Sequence, residues 1–266
     1  MIFDAGQFAR VRYFVSCICA AAWLLIFEAP DHGFELPVCH PRTSGAPFGV
    51  WISPFLTMHQ AQLLTAGWAL MLIAMMAPVL VAPIYSIRSR SFKHRRSRAT
   101  ALFLGGYALA WMPIGAVAAA IELAATQLAP RSYLPSMVAA LLAVLWQCSP
   151  TKQRCLNRCF VHRESHAFGI GADADALRFG LTHGVWCAGS CMPLMLLAML
   201  LPRCNQIAMV AVAILIFSER LERPGAACWR WRGLGKSFRL VSAQARLGWR
   251  AFRGARAPDA FDYARR

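Results

Sequence analysis

Long apolar stretches alternate along this chain with short segments holding most of its arginine and lysine, and that alternation constrains the fold more than any single residue. A helix of about 18 or more apolar residues is long enough to span a bilayer core. Such stretches are read at 13–29, 63–87, 99–125, 133–148, 179–201 and 204–219. The fourth is short and begins beside Pro135, which suits a first helical turn because its missing N–H has no bond to lose there. With 58% hydrophobic residues and a formal charge of +16, the apolar and basic residues must be segregated, as they are here. The expected fold is all-α: a polytopic transmembrane bundle of about six spans within residues 1–225, and a basic cytoplasmic tail over 226–266.

Orientation follows from where the charges fall. Of the 28 Lys and Arg residues, 25 lie before the first span, in 88–98, in 149–178 or from Arg220 onward. The remaining three, Arg42, Arg131 and Arg203, occupy the segments that alternate threading puts outside. Positive charge marks the cytoplasmic side of inserted helices, so both termini are expected in the cytoplasm, with the chain in a bacterial inner membrane. No small-x-small cleavage pattern follows the stretch Trp23 to Glu28, and the first span is therefore read as a retained helix rather than a signal sequence. The charges flank spans instead of forming one basic face, which argues against nucleic acid as a partner.

Between the spans, the run Arg88 to Arg98 reads as a topology anchor that also meets lipid phosphates. Over 236–253, Phe238, Val241, Ala245, Trp249 and Phe252 share one helical face, and Lys236, Arg239, Arg246, Arg250 and Arg253 lie outside it. That pattern predicts an amphipathic helix on the anionic cytoplasmic leaflet, with partner binding or a disordered tail as alternatives. On the outer side, Cys39 and Cys204 are candidates for a disulfide, and Cys39-His40 with His32 or His59 for metal capture.

Spacing makes the cysteines informative. Seven of the ten lie from Cys148 onward. Cys155 and Cys159 are four apart, and His183, Cys187 and Cys191 repeat that interval, so neighbours in each series share a helix face about 6 Å apart along the axis. One metal ion accepts two adjacent members but not His183 and Cys191 together, which are about 12 Å apart. A mononuclear site must therefore combine the two segments. Cys148, Cys155 and Cys159 precede the fifth span and His183 and Cys187 begin it, all on one side of the membrane. A reducing cytoplasm keeps such thiols available as ligands. Packing is the competing reading, because cysteine is also a small buried hydrophobe. Against it, a histidine inside an apolar span is costly without a partner.

Methionine adds soft donors. Met71, Met75 and Met76 precede Pro78 in the second span, and Met192, Met195 and Met199 continue the fifth. Thiolate with thioether favours Cu(I), with zinc as the alternative. Methionine is equally a core filler, and Met75 and Met76 are the stronger candidates.

Three pieces in order resemble a known family, the predicted metal-binding integral membrane proteins catalogued as domain of unknown function 2182. They are Trp68 to Pro78, containing Met71, Met75 and Met76; Ser149-Pro150-Thr151-Lys152 running to Cys155 and Cys159; and His183-Gly184 through Cys187, Gly189 and Cys191 to Leu194-Met195. The resemblance covers about 65–220 and implies a membrane protein that binds metal through those Cys, His and Met positions. The family often carries a second cysteine directly before the last one, where this chain has Ser190.

Three functions compete at this stage. The first is handling of a soft ion such as copper by binding, delivery or transport, with the bilayer, anionic headgroups and a metal-receiving protein as partners. The second is a membrane scaffold or assembly subunit whose cysteines only pack. The third, a thiol oxidoreductase, is disfavoured by the absence of any Cys-x-x-Cys pair. No Gly-x-Ser-x-Gly elbow or phosphate-binding loop occurs, and a non-enzymatic role is expected. Glu219 is expected to pair with Arg220 or Arg223 at the membrane interface, and Glu122 is a candidate relay.

Overall fold

The computed structural model of the chain describes residues 5–28, 58–129, 132–160, 169–201, 205–222 and 224–230, together with positions 242 and 246. Among these residues there are seven α-helices and no strand. They are α1 (Ala5–Glu28), α2 (Met58–Arg90), α3 (Arg96–Leu128), α4 (Leu134–Cys148), α5 (Pro150–Cys159), α6 (Gly169–Leu200) and α7 (Asn205–Arg220), with one 3-10 turn at Lys93–Arg95. The all-α bundle expected from the sequence is what forms. The outer-loop candidates Cys39, His40, His32 and Cys204 and the side chain of His59 lie outside the described residues, as does nearly all of the helix read at 236–253.

Of the about six spans expected, not all are long helices. Among the described residues, four helices are long and apolar enough to cross a membrane, and α4 with α5 adds a fifth if that pair, bent by 67°, is one broken span. At 1.5 Å per residue, α4 with its 15 residues and α7 with its 16 reach only about 22 and 24 Å, short of a core about 30 Å thick. Their hydropathy resembles that of a span, but their length does not.

Local sequence explains where the α4 to α5 bend falls. The Ser149 hydroxyl accepts the Lys152 N–H at 3.1 Å, and Pro150 occupies the first turn of α5. A side-chain N-cap followed by proline starts a new helix and stops the old one. Longer helices carry internal prolines, Pro78 and Pro83 in α2, Pro113 in α3 and Pro193 in α6, without ending. Neighbouring helices absorb such breaks in apolar bundles.

Helix α6 is the hub, with α3, α4, α5 and α7 all packed on it, while α1 packs on α2. The α3–α6 pair is the tightest, and glycine is the reason. A Cβ on Gly106 would collide with the Leu177 carbonyl, one on Gly180 with the Phe103 carbonyl, and one on Gly184 would come within 2.7 Å of the Ala110 Cβ. Small residues let two backbones approach this closely. At the start of the pair, Arg95 and Arg98 each lie 2.7 Å from the Asp173 carboxylate.

The interior holds Trp111 and Phe103 among methionines from three helices: Met71, Met75 and Met76 of α2, Met195 of α6 and Met209 of α7, all nearly or fully buried. The outward faces are apolar as well. Leu24 and Leu25 on α1 and Leu141, Leu142 and Leu145 on α4 are exposed.

Candidate metal centre

Two short helices stop at the same level of α6, and the cysteines gather there. The indole N–H of Trp146, near the end of α4, donates to the Gly189 carbonyl at 3.0 Å. Arg220, the last residue of α7, donates from Nη2 to Ser190 Oγ at 2.9 Å. Beyond that level α4 is replaced by α5, which lies across α6 and turns Lys152, Gln153, Cys155, Leu156 and Cys159 inward. These positions recur at three- and four-residue intervals, so one face of a strongly polar helix is buried.

Gly189 fixes how near α5 comes. A Cβ there would stand 2.9 Å from Cys155 Sγ, so the absent side chain is the seat of that sulfur. On the facing surface, Cys187 and Cys191 are buried to 0% and 1% exposure. Cys191 Sγ donates to the Cys187 carbonyl at 3.1 Å and lies 3.9 Å from Met195 Sδ. Tyr107 of α3 donates its hydroxyl to Cys187 Sγ at 3.4 Å, a contact that the close glycine packing of α3 on α6 permits. Arg220, through its bond to Ser190 between Cys187 and Cys191, brings the end of α7 to the thiols of α6.

A second polar group adjoins the first. Lys152, fully buried, places Nζ 2.8 Å from Glu219 Oε1, and Gln147 bridges the two, accepting from Lys152 and donating to Glu219. In place of the expected pairing of Glu219 with Arg220, the carboxylate pairs with Lys152; Arg223, the other expected partner, lies outside the described residues. Lys152 takes the carboxylate, because α5 folds back under the end of α7 and brings a cation to it inside the bundle. Arg220 is left to Ser190.

The candidate ligands thus fall into separate groups. Cys155 and Cys159 of α5 and Cys187 and Cys191 of α6 are all buried where these two helices pack on each other. Cys148 ends α4, is only partly buried, and gives its carbonyl to the Arg230 N–H at 3.2 Å. His183 is buried at 4% exposure, one turn before Cys187, with the rings of Phe103, Tyr107 and Phe179 all about it at centroid distances of 5.9 to 6.1 Å. Met75 and Met76 belong to the same continuous apolar core as Cys187, Cys191 and Met195. Among the described residues, no three Cys, His, Asp or Glu side chains are drawn tightly enough to hold an ion as they stand. The donors fit a soft cation in kind, four thiols with a thioether close by, and taking one up requires them to close around it.

Tyr107, Lys152 and Arg220 were not singled out as site residues in the sequence. For Lys152 a signal existed: a lysine within a Ser-Pro-Thr-Lys helix start, four residues from the end of an apolar stretch. Tyr107 and Arg220 gave none, since only the packing of α3 and α7 on α6 brings them to the cysteines.

Residues 65–240 match the PpoB2 family, described as copper chaperone. Copper-related chemistry thereby attaches to the same region in which the cysteine, histidine and methionine motifs were read. No curated protein and no solved structure matches the chain.

Proposed function

The chain belongs to the PpoB2 copper-chaperone family, and from that premise we propose that it is an integral membrane protein that binds Cu(I) and passes it to a receiving protein. The cargo binds at the thiols of Cys155, Cys159, Cys187 and Cys191. The observation that carries this reading is that two cysteine pairs, each spaced by four residues, lie on the packed helices α5 and α6, with Cys155 Sγ seated at Gly189 between Cys187 and Cys191. Packing alone does not require four thiols from two helices at one locus.

Chemistry selects the ion. Thiolate and thioether donors prefer monovalent copper over harder ions, and few-coordinate sulfur binding allows transfer by stepwise exchange, one incoming thiolate replacing one outgoing. Met195, 3.9 Å from Cys191 Sγ, is the nearest thioether. Met75, Met76, His183 and Cys148 are auxiliary positions on this reading. Membrane insertion is supported by the four long apolar helices and by exposed leucines on α1 and α4, which lipid would cover. With the basic segments inside, the thiol locus opens toward the reducing cytoplasm, where Cu(I) and free thiols both persist.

One observation favours a scaffold reading instead. Cys191 and Ser190 both satisfy themselves on the Cys187 carbonyl, as buried helix residues commonly do. Anaerobic titration of the detergent-solubilised protein with Cu(I) against a chromogenic chelator separates the two. Uptake of one ion per chain, lost on changing Cys155 and Cys187 to Ser and resisted by excess zinc, supports copper handling. Uptake that ignores those changes leaves the cysteines as packing residues.

A further inference from the structure

Arginine side chains at the edge of an apolar bundle ordinarily bury their stems and keep the guanidinium in water. Arg220 does the reverse. The residue as a whole is partly exposed, yet Nε and Nη1 are buried and meet no hydrogen-bonding oxygen among the described residues. Its one oxygen partner among the described residues is Ser190 Oγ, on the turn of α6 between the buried thiols of Cys187 and Cys191. The nearest carboxylate, Glu219, is committed to Lys152 and Gln147. A desolvated cation needs a compensating partner, and the turn of α6 that receives this one is flanked by thiols.

We propose that Arg220 is the resident cation of the thiol locus, and that arriving Cu(I) displaces it, so that copper loading and seating of the segment after α7 are mutually exclusive. The inference rests on the copper-binding reading above. Guanidinium and Cu(I) carry the same single charge. The exchange is ionic: Arg220 keeps all its protons, copper keeps its oxidation state, each thiol that ligates copper gives up its proton to water, and each copper–sulfur bond formed replaces a bond from copper to the thiolate that delivered it.

The chain just beyond Arg220 gives the displacement a consequence. Residues 224–230 run along α5. Asn157 and Gly225 exchange hydrogen bonds at 2.8 and 3.2 Å, and the Arg230 N–H donates to the Cys148 carbonyl at 3.2 Å. This segment straps the helix that carries Cys155 and Cys159, and Arg220 anchors its start. Expelling the guanidinium frees the strap at the moment the ion is bound, which exposes the loaded site to a receiver.

Hydrogen exchange on the full-length protein in detergent, with and without one equivalent of Cu(I) and with bound copper measured on the same samples, tests this. The expected result is loss of protection over 221–230 on loading, by about tenfold or more in exchange rate. Arg220→Gln is expected to show the loosened strap before copper is added and to change no further on loading. Arg220→Lys, which keeps the charge and guards against a folding defect, is expected to respond to copper as the parent does. If the parent binds copper and its 221–230 protection does not change, the displacement is wrong although the copper reading stands. If the parent binds no copper, both fall together.

Discussion

Lys152 Nζ stands 2.8 Å from Glu219 Oε1 with both side chains closed off from the surface, at 0% and 9% exposure. This pair pins the corner between α4 and α5 to the end of α7. Buried ion pairs add little over an apolar substitute, but removing one partner strands the other charge. Lys152→Met is therefore expected to cost about 3–5 kcal/mol. The double variant Lys152→Met with Glu219→Leu is expected to recover much of that. Thermal unfolding in detergent checks both, and a double variant as unstable as the single one would contradict the account.

Gly189 makes a sharper prediction about the site itself. Its alanine variant puts a Cβ 2.9 Å from Cys155 Sγ, so the sulfur or the whole of α5 must shift. Overpacking of this kind typically costs about 1–3 kcal/mol. Cu(I) affinity, read by chelator competition, is expected to fall by about tenfold or more, equivalent to roughly 1.4 kcal/mol. Gly105 is the control, because nothing lies within 4 Å of a Cβ added there. Gly105→Ala is expected to leave the affinity unaltered.

Threading is tested at Cys228, which is exposed in the segment after α7. In a variant with Cys17, Cys39 and Cys204 changed to Ser, a membrane-impermeant maleimide is expected to label Cys228 in inverted vesicles and not in intact cells. Labelling from outside intact cells would put the basic tail, and with it the thiol locus, on the wrong face.

The sequence made the long helices plain, located the short helices α4 and α7 as well, and left only α5 unread. Hydropathy located α2, α3 and α6 to within several residues on the apolar side, but each runs on into polar sequence, as α2 does to Arg90 and α6 does back to Gly169, because helical hydrogen bonding continues after the apolar run ends. The same averaging counted α4 and α7 as spans when each is too short to cross alone. Cysteine spacing paired Cys155 with Cys159 and Cys187 with Cys191 correctly as helix neighbours, since that depends only on helical period. It said nothing of Arg220 reaching Ser190, nor of Lys152 reaching Glu219, because each contact joins different helices, 67 residues apart in the case of Lys152 and Glu219, which also depends on the bend at Ser149-Pro150. The surroundings of His183 were likewise not legible: Phe179 comes from its own helix, but Phe103 and Tyr107 reach its ring from α3.

The central claim is that copper binds sulfur at the locus shared by α5 and α6. Copper-edge X-ray absorption on the reduced, Cu(I)-loaded full-length protein tests it most directly. The account predicts a first shell of sulfur in the parent, and no stoichiometric copper in a helical, folded variant with Cys155, Cys159, Cys187 and Cys191 all changed to Ser. An equal copper content and an unchanged first shell in that variant would contradict it.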